Sequence, residues 1–216
     1  MKNIFCAVLI LFAAVGLFAQ NGVLKEFTGT VELKPAGAAE FAPAQTGSEV
    51  ARNTIVSTGF KSTAIIEVGS SQIMVRPLTR LTLTEIQSSS GTESLNMSLQ
   101  SGRVRVDVKP PAGTKTNFAI QSPIATASVR GTSFEFDTRR ITVYEGTVSF
   151  LGKNGMEMLI PAGQESFVGN EGEAADPLAL GAAELLPAPP VGVSTSGKKK
   201  GVPVPTSGSI PIIIEY

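Results

Sequence analysis

Residues Ala127–Asp137, ASVRGTSFEFD, interrupt a pattern that runs through most of this 216-residue chain. On both sides of the stretch, β-branched and apolar residues alternate with polar ones, as they do in the strands of a half-buried sheet. The residues Arg130–Thr132 break the alternation in the middle of what would otherwise be one long strand. A central glycine can adopt a positive φ, so the sequence predicts a corner between a strand that ends at Val129 and one that contains Phe134.

The rest of the region from Val23 to Val168 predicts an all-β fold. Short segments rich in Val, Ile, Thr and Phe are separated by Gly, Pro, Asn and Ser clusters, with a turn signal roughly every 8 to 12 residues. In RVRVDV the valines face one side, whereas Arg103, Arg105 and Asp107 face the other. The pattern predicts an antiparallel β-sandwich or jelly-roll-like rolled sheet of about ten to twelve short strands, with an irregular C-terminal tail.

The N-terminus predicts a secretory signal peptide over residues 1–20. Lys2 precedes an apolar run from Ile4 to Phe18, and the sequence becomes polar after Ala19. The run is shorter than the roughly 20 residues that span a bilayer, and Ala19 suits cleavage by signal peptidase. An uncleaved anchor is the alternative. We therefore expect an exported protein, periplasmic or at the cell surface, without a stable transmembrane anchor after cleavage.

The composition of the mature chain limits the kinds of catalytic and metal-binding site that it can form. The single cysteine, Cys6, lies in the predicted signal peptide, and the sequence has no histidine. Triads, Cys-His pairs and the usual zinc or copper sites need these residues, so we expect no enzyme activity, no metal and no cofactor. Loss of Lys2 leaves 17 basic against 18 acidic residues, a balance that argues against a nucleic-acid partner.

The chain divides by composition after the signal peptide. Residues 21–170 form the predicted β domain, and residues 171–209 a Pro/Gly/Ser-rich linker with room for one short helix from Ala174 to Leu186. Lys198–Lys200 within the linker suits either solubility or contact with an anionic surface. Residues 210–216, with three consecutive isoleucines, predict a terminal strand that pairs with the domain or with another chain.

A series of motifs in this order resembles the FecR domain, the extracytoplasmic domain named after the iron-dicitrate transport regulator. The resemblance extends from about Gly29 to Val168. Its sharpest elements are VRGTSF, EGTV and the AGQ that contains Gly163. The residues that carry it are Arg130, Gly131, Thr132, Phe134, Glu145, Gly146 and Gly163.

The resemblance implies an all-β domain outside the cytoplasm that acts in signalling or protein contact, without known catalysis. The transport regulators also carry a cytoplasmic anti-sigma segment and a receptor-docking domain. The sequence shows neither, because few residues precede the predicted mature start and the tail after Val168 is too irregular. We therefore expect a freestanding exported version of the domain.

Arg103, Arg105 and Arg130 are the candidate contacts with a partner. A guanidinium offers five donors in a rigid fork, which suits recognition. A solvated sheet face, however, explains Arg103 and Arg105 without any further assumption. At the corner the structural interpretation is the stronger one, with Gly131 at positive φ and Thr132 bonded to nearby backbone.

Carboxylates, Lys, Tyr and hydroxyls are the remaining catalytic candidates. Glycosidases use two carboxylates across the scissile bond, and Glu135, Asp137 and Glu145 are available. Glu135 and Asp137 are two residues apart on one strand and share its wet face, and nothing places any two across a cleft. We assign no catalytic residue.

The leading functional hypothesis is a non-enzymatic protein of cell-envelope signalling or protein–protein interaction, with another envelope protein as its partner. The alternative is a module that binds a cell-wall glycan or small ligand. Sugar sites commonly use aromatic stacking, and the chain has no Trp and only Tyr144 and Tyr216. The first hypothesis is therefore preferred.

Overall fold

The computed structural model describes residues 21–89, 92–109, 113, 115–155 and 157–179. The predicted signal peptide, the terminal strand at 210–216 and the linker beyond residue 179 lie outside the described residues. Within them the chain forms strands, turns and bends, and no helix.

Two nine-stranded sheets stack face to face and confirm the predicted all-β sandwich. In spatial order, sheet A consists of β18 (Leu178–Ala179), β17 (Gln164–Phe167), β14 (Arg140–Glu145), β13 (Ser133–Asp137), β10 (Arg103–Val108), β7 (Ser71–Val75), β6 (Thr63–Val68), β1 (Gly22–Thr28) and β4 (Glu49–Val50). Sheet B consists of β16 (Glu157–Pro161), β15 (Thr147–Gly152), β12 (Ala125–Val129), β11 (Lys115–Gln121), β9 (Thr92–Ser101), β8 (Arg80–Ser89), β5 (Ile55–Thr58), β2 (Val31–Lys34) and β3 (Ala42–Pro43).

The described residues contain eighteen strands, more than the ten to twelve predicted. Three of the extra strands, β3, β4 and β18, have two residues each, too few to show alternation in the sequence. They lie at sheet edges, where short strands limit unwanted pairing with other chains. One pair, β9 with β11, is parallel, whereas a wholly antiparallel sandwich was predicted.

The parallel pair follows from how the chain winds. β9 in sheet B leads to β10 in sheet A, and the chain then returns to sheet B as β11, completing one turn around the sandwich. β10 pairs with β13 so that Arg103 is opposite Asp137 and Asp107 opposite Ser133. The corners at Gly102 and Gly131 therefore lie at opposite edges of the molecule.

The core fills the space between the sheets with the inward-facing residues of both. Phe118 of sheet B meets Phe134 of sheet A edge-to-face, with ring centroids 5.9 Å apart. Phe136 of sheet A meets Phe150 of sheet B in the same way at 6.2 Å. Burying each such side chain contributes about 2–3 kcal/mol, so these pairs are a main link between the sheets.

The predicted corner carries the chain from one sheet to the other. β12 ends at Val129 in sheet B, and β13 begins at Ser133 in sheet A. Gly131 has the expected positive φ, +71°. Because Val129 pairs with Val148 and Ser133 with Glu145, a two-stranded ribbon bends over the edge of the sandwich, and Gly146 lies at the same bend.

The VRGTSF and EGTV motifs therefore lie at the same bend. Gly146 has φ +80°, and a Cβ there would lie 2.6 Å from Cγ2 of Thr132 and 3.1 Å from the carbonyl oxygen of Gly131. The Gly146 carbonyl accepts from the N–H of Ala162, next to Gly163 in the turn between β16 and β17. Three sheet-to-sheet connections are packed side by side at this edge.

Thr132 differs from its predicted role. Its Oγ1 is buried and has no hydrogen-bond partner among the described residues, so the predicted bond to local backbone is wrong. The residue contributes its backbone carbonyl, which accepts from the N–H of Val108, and its methyl group, which packs beneath Gly146. The side chain acts at the corner through its shape.

Sheet A continues past residue 170, where the sequence predicted the domain to end. Val168 and Ala174 form an isolated bridge, and β18 pairs with β17. The hydroxyl of Ser166 donates to the carbonyl of Ala175 at 2.6 Å. The short helix predicted from Ala174 is wrong for residues 174–179, because their backbone groups bond to sheet A; its remaining residues lie outside the described residues.

Candidate functional site

The outer surface of sheet A is charged along its central and C-terminal strands. We call it the charged face. Its inward-facing neighbours are buried Val, Ile and Phe, so strand alternation alone directs the polar side chains to solvent. The charged face consists of Arg76, Arg103, Arg105, Asp107, Glu135, Asp137, Arg140, Tyr144 and Glu165.

Glu135 lies at the centre of the charged face. Arg76 donates to one carboxylate oxygen through Nη2 at 3.0 Å, and Arg103 to the other through Nη1 at 3.2 Å. Arg103 also approaches Asp137, with Nη2 and Oδ2 3.8 Å apart. Arg76 is held in place because its backbone N–H donates to the Arg103 carbonyl at 3.0 Å. The result is a network of alternating charges across three neighbouring strands.

Two further contacts extend the charged face. Arg140 lies 3.6 Å from a carboxylate oxygen of Glu165 on the neighbouring strand. Arg105 stacks its guanidinium over the ring of Tyr144, 4.5 Å from the centroid. Tyr144 is 42% exposed, so the upper side of this cation–π pair is open to a binding partner.

The charged face contains two adjoining depressions with volumes of about 660 and 420 Å³. Arg103, Glu135 and Asp137 line both. Glu135 and Asp137 do share the wet face, as predicted, and each lies beside a guanidinium. Such a surface suits charged or hydrogen-bonding groups of a partner. Within the described residues, no three acidic, His or Cys side chains are grouped to hold a metal.

The structure divides the predicted partner contacts between two surfaces. Arg103 and Arg105 lie on the charged face, but Arg130 lies on the outer surface of sheet B. There it lines a groove of about 510 Å³, which we call the neutral groove. Five hydroxyl or amide side chains, one guanidinium, one carboxylate and one exposed leucine line the neutral groove together with three apolar residues. Its outward-facing residues include Asn96, Asn117, Ser128, Arg130, Ser149, Glu157 and Leu159.

Sequence reasoning missed Arg76, Arg140 and Glu165 as members of the charged face. Alternation in SFEFD already indicated that Glu135 and Asp137 point to solvent. The sequence carries no signal for strand order, and only the β7–β10–β13–β14–β17 order brings these five charges together. Of the remaining motif residues, Glu145 is the last residue of β14 and Gly163 lies in the turn between β16 and β17, both at the Gly131 edge.

Comparison with known families places the corner and most of the charged face in one unit. Residues 54–149 match the family described as FecR protein. This segment is therefore similar to the FecR domain. The match covers somewhat less than half of the chain, from the start of β5 into β15. Strands outside the matched segment, β1–β4 and β16–β18, complete both sheets of the sandwich.

Two crystal structures of a candidate anti-sigma factor from Parabacteroides distasonis ATCC 8503 are similar in part, with TM-scores of 0.47 and 0.48 and 15% identity. Each comparison covers 58% of this chain, which spans 59% of that protein's length. No curated protein is significantly similar. The described residues contain no helix with the length and apolarity to cross a membrane.

Replacing Glu135 by Gln should lower the free energy of unfolding by about 1 kcal/mol, because Arg76 and Arg103 lose a shared carboxylate whose side chain is only 15% exposed. Urea unfolding at low and high salt measures the loss, which should shrink as salt rises. The matched control is Glu67→Gln, which removes a single pair with Lys25 that is about half exposed. Equal losses in the two variants would contradict the network.

Proposed function

We propose that this chain is an exported, non-enzymatic FecR-domain protein that acts in cell-envelope signalling by binding another envelope protein through the charged face. The observation that carries the proposal is that most of the charged face lies within the FecR-matching segment. The family match supports a regulatory role through protein contact.

The charged face has the properties of a specific docking surface. Its cations and carboxylates alternate in fixed positions on a rigid sheet, so a partner with the complementary pattern is favoured and others are repelled. Arg and Tyr are the residue types that most often dominate binding energy, and Arg105 and Tyr144 present both in one stacked pair. The four guanidinium groups are matched by four carboxylates, which favours recognition by pattern over bulk attraction.

Export is part of the proposal. The predicted signal peptide at residues 1–20 and a mature chain without cysteine both suit a location in the envelope. Cell fractionation together with N-terminal sequencing of the purified protein tests this step. Recovery from the cytoplasm with Met1 retained would contradict it.

A photo-crosslinking amino acid at Thr142, which lines the smaller depression of the charged face, should capture one defined envelope protein in living cells. The same group at Thr126, on the outer surface of sheet B, should not. Arg105→Glu should weaken the crosslink at least about tenfold, since it replaces attraction and stacking by repulsion. Lys25→Glu is the control, because it changes the same charge on sheet A at a position paired with Glu67. Mass spectrometry of the crosslinked band identifies the partner.

One observation favours the alternative of glycan or small-ligand binding. The neutral groove offers amides, hydroxyls and the carboxylate of Glu157, and these groups form hydrogen bonds with sugar hydroxyls. Retention on peptidoglycan at high salt, lost on Asn117→Ala and kept on Arg105→Glu, would favour this alternative over the proposed function. Capture at Thr142 alone would favour protein binding.

A further inference from the structure

Two large apolar side chains project from the edge of the sandwich that contains Gly102. Phe60 is 73% exposed and Leu78 is 61% exposed. Their corners touch, because the N–H of Leu78 donates to the carbonyl of Gly59 at 3.2 Å. We call this region the corner edge and define it by the connections at residues 28–30, 59–62, 76–80 and 101–103. On the side of sheet A, Arg76, Pro77, Gly102 and Arg103 of this region also line the larger depression of the charged face.

Two residues of the corner edge have a strained backbone that glycine in their place would avoid. Leu78 has φ +56° and Lys61 has φ +53°, the left-handed region that favours glycine. The corners at Gly29, Gly102, Gly131 and Gly146 use glycine at positive φ. Glycine at position 78 would meet the same geometric need at lower cost, so the fold does not account for an exposed leucine there.

The surroundings hold the strained leucine firmly. Thr79, next to it, is 1% exposed, and its backbone N–H donates to the hydroxyl of Thr58 at 3.0 Å. The same hydroxyl of Thr58 donates to the carbonyl of Arg76 at 2.6 Å. The backbone is therefore held on both sides of Leu78, and the side chain is presented to solvent.

The charge of the corner edge is of one sign. Its four connections contain four cations, Lys61, Arg76, Arg80 and Arg103, and no carboxylate. Arg76 and Arg103 are paired with Glu135, but among the described residues Lys61 and Arg80 form no ion pair. The ammonium of Lys61 lies 5.5 Å from the centroid of the Phe60 ring, so one cation stands beside one apolar tip.

We propose that the corner edge binds the surface of an anionic lipid bilayer. Phe60 and Leu78 insert between lipid chains at the interface, while Lys61 and Arg80 contact phosphate groups. An edge with exposed apolar tips and flanking cations suits a soft, anionic surface, because each tip gains apolar burial and each cation gains attraction. Arg105 and Tyr144, farther along the charged face, remain accessible to a protein partner in this orientation.

Vesicle co-sedimentation tests the proposal with the processed chain that begins near residue 21, purified from the envelope. The wild type should bind vesicles of phosphatidylcholine and phosphatidylglycerol in equal parts, and bind phosphatidylcholine vesicles much more weakly. Phe60→Ser and Leu78→Gly should each reduce the partition coefficient about tenfold. Phe167→Ser is the control; it removes an aromatic residue that is 42% exposed outside the corner edge, and binding should not change.

Leu78→Gly separates a binding role from a structural one. Glycine adopts a positive φ without strain, so the thermal midpoint should stay the same or rise while vesicle binding falls. A lowered midpoint with unchanged binding would overturn the proposal and make Leu78 a structural residue. Wild-type protein that stays in the supernatant with anionic vesicles, or binds neutral vesicles equally well, would also overturn it. These outcomes are independent of the crosslink at Thr142, which tests the proposed function.

Discussion

Replacement of Gly102 by alanine should lower the free energy of unfolding by about 4 kcal/mol, much of the 5–15 kcal/mol typical of a domain. Gly102 has φ +87°, and a Cβ there would lie 2.5 Å from the Cα of Thr79 and 2.7 Å from the carbonyl oxygen of Leu78. The backbone on both sides of the corner would have to separate. Thr79 resists this movement because its hydroxyl bonds both the N–H and the carbonyl of Arg103.

The matched control is Gly163→Ala. Gly163 has φ +79°, nearly the same conformation, but a Cβ there meets no atom within 4 Å. This variant should lose about 1 kcal/mol of unfolding free energy, the cost of the left-handed conformation alone. Chemical denaturation of both variants isolates the steric contribution as the difference. Losses of the same size would show that the corner at Gly102 relaxes around a methyl group.

The second large effect is expected for Phe134→Ala, at about 4 kcal/mol. The ring is fully buried between the sheets and packs edge-to-face on Phe118, so its removal leaves a cavity that close-packed neighbours on two sheets cannot fill. Thermal unfolding should show a lower midpoint. The protein should remain all-β by circular dichroism if it still folds.

Phe167→Ala provides the comparison, since Phe167 is 42% exposed on β17. It removes the same atoms from a wet position and should cost less than about 1 kcal/mol. If the two phenylalanine variants lost similar stability, the sheets would not be held together mainly by the buried aromatic pairs. The ring of Phe136 meets Phe150 in the second buried pair. The thermal midpoint of Phe136→Ala then shows whether a small loss is confined to Phe134 or holds for both pairs.

Local patterns were sufficient for the strands and for the corner. Alternation around Val104 and Arg103 correctly assigned the buried and solvent faces, and Gly131 has the positive φ that was expected from its neighbours. The short-range pattern failed at Thr132, whose hydroxyl has no partner among the described residues. It failed there because the role of Thr132 is to pack under Gly146, fourteen residues away, and sequence spacing does not show such a contact.

The sequence by itself determined the fold class, the family resemblance and the solvent-facing direction of the charged side chains in RVRVDV and SFEFD. These follow from the two-residue period of a strand and from the conformational freedom of glycine, which are local properties. The tertiary structure decided which charges meet: strand order joins Arg76, Arg103 and Glu135 on one face and moves Arg130 to the other. It also decided that Phe60 and Leu78 share one edge, because the chain crosses between the sheets at both corners and pairing of distant strands brings those corners together.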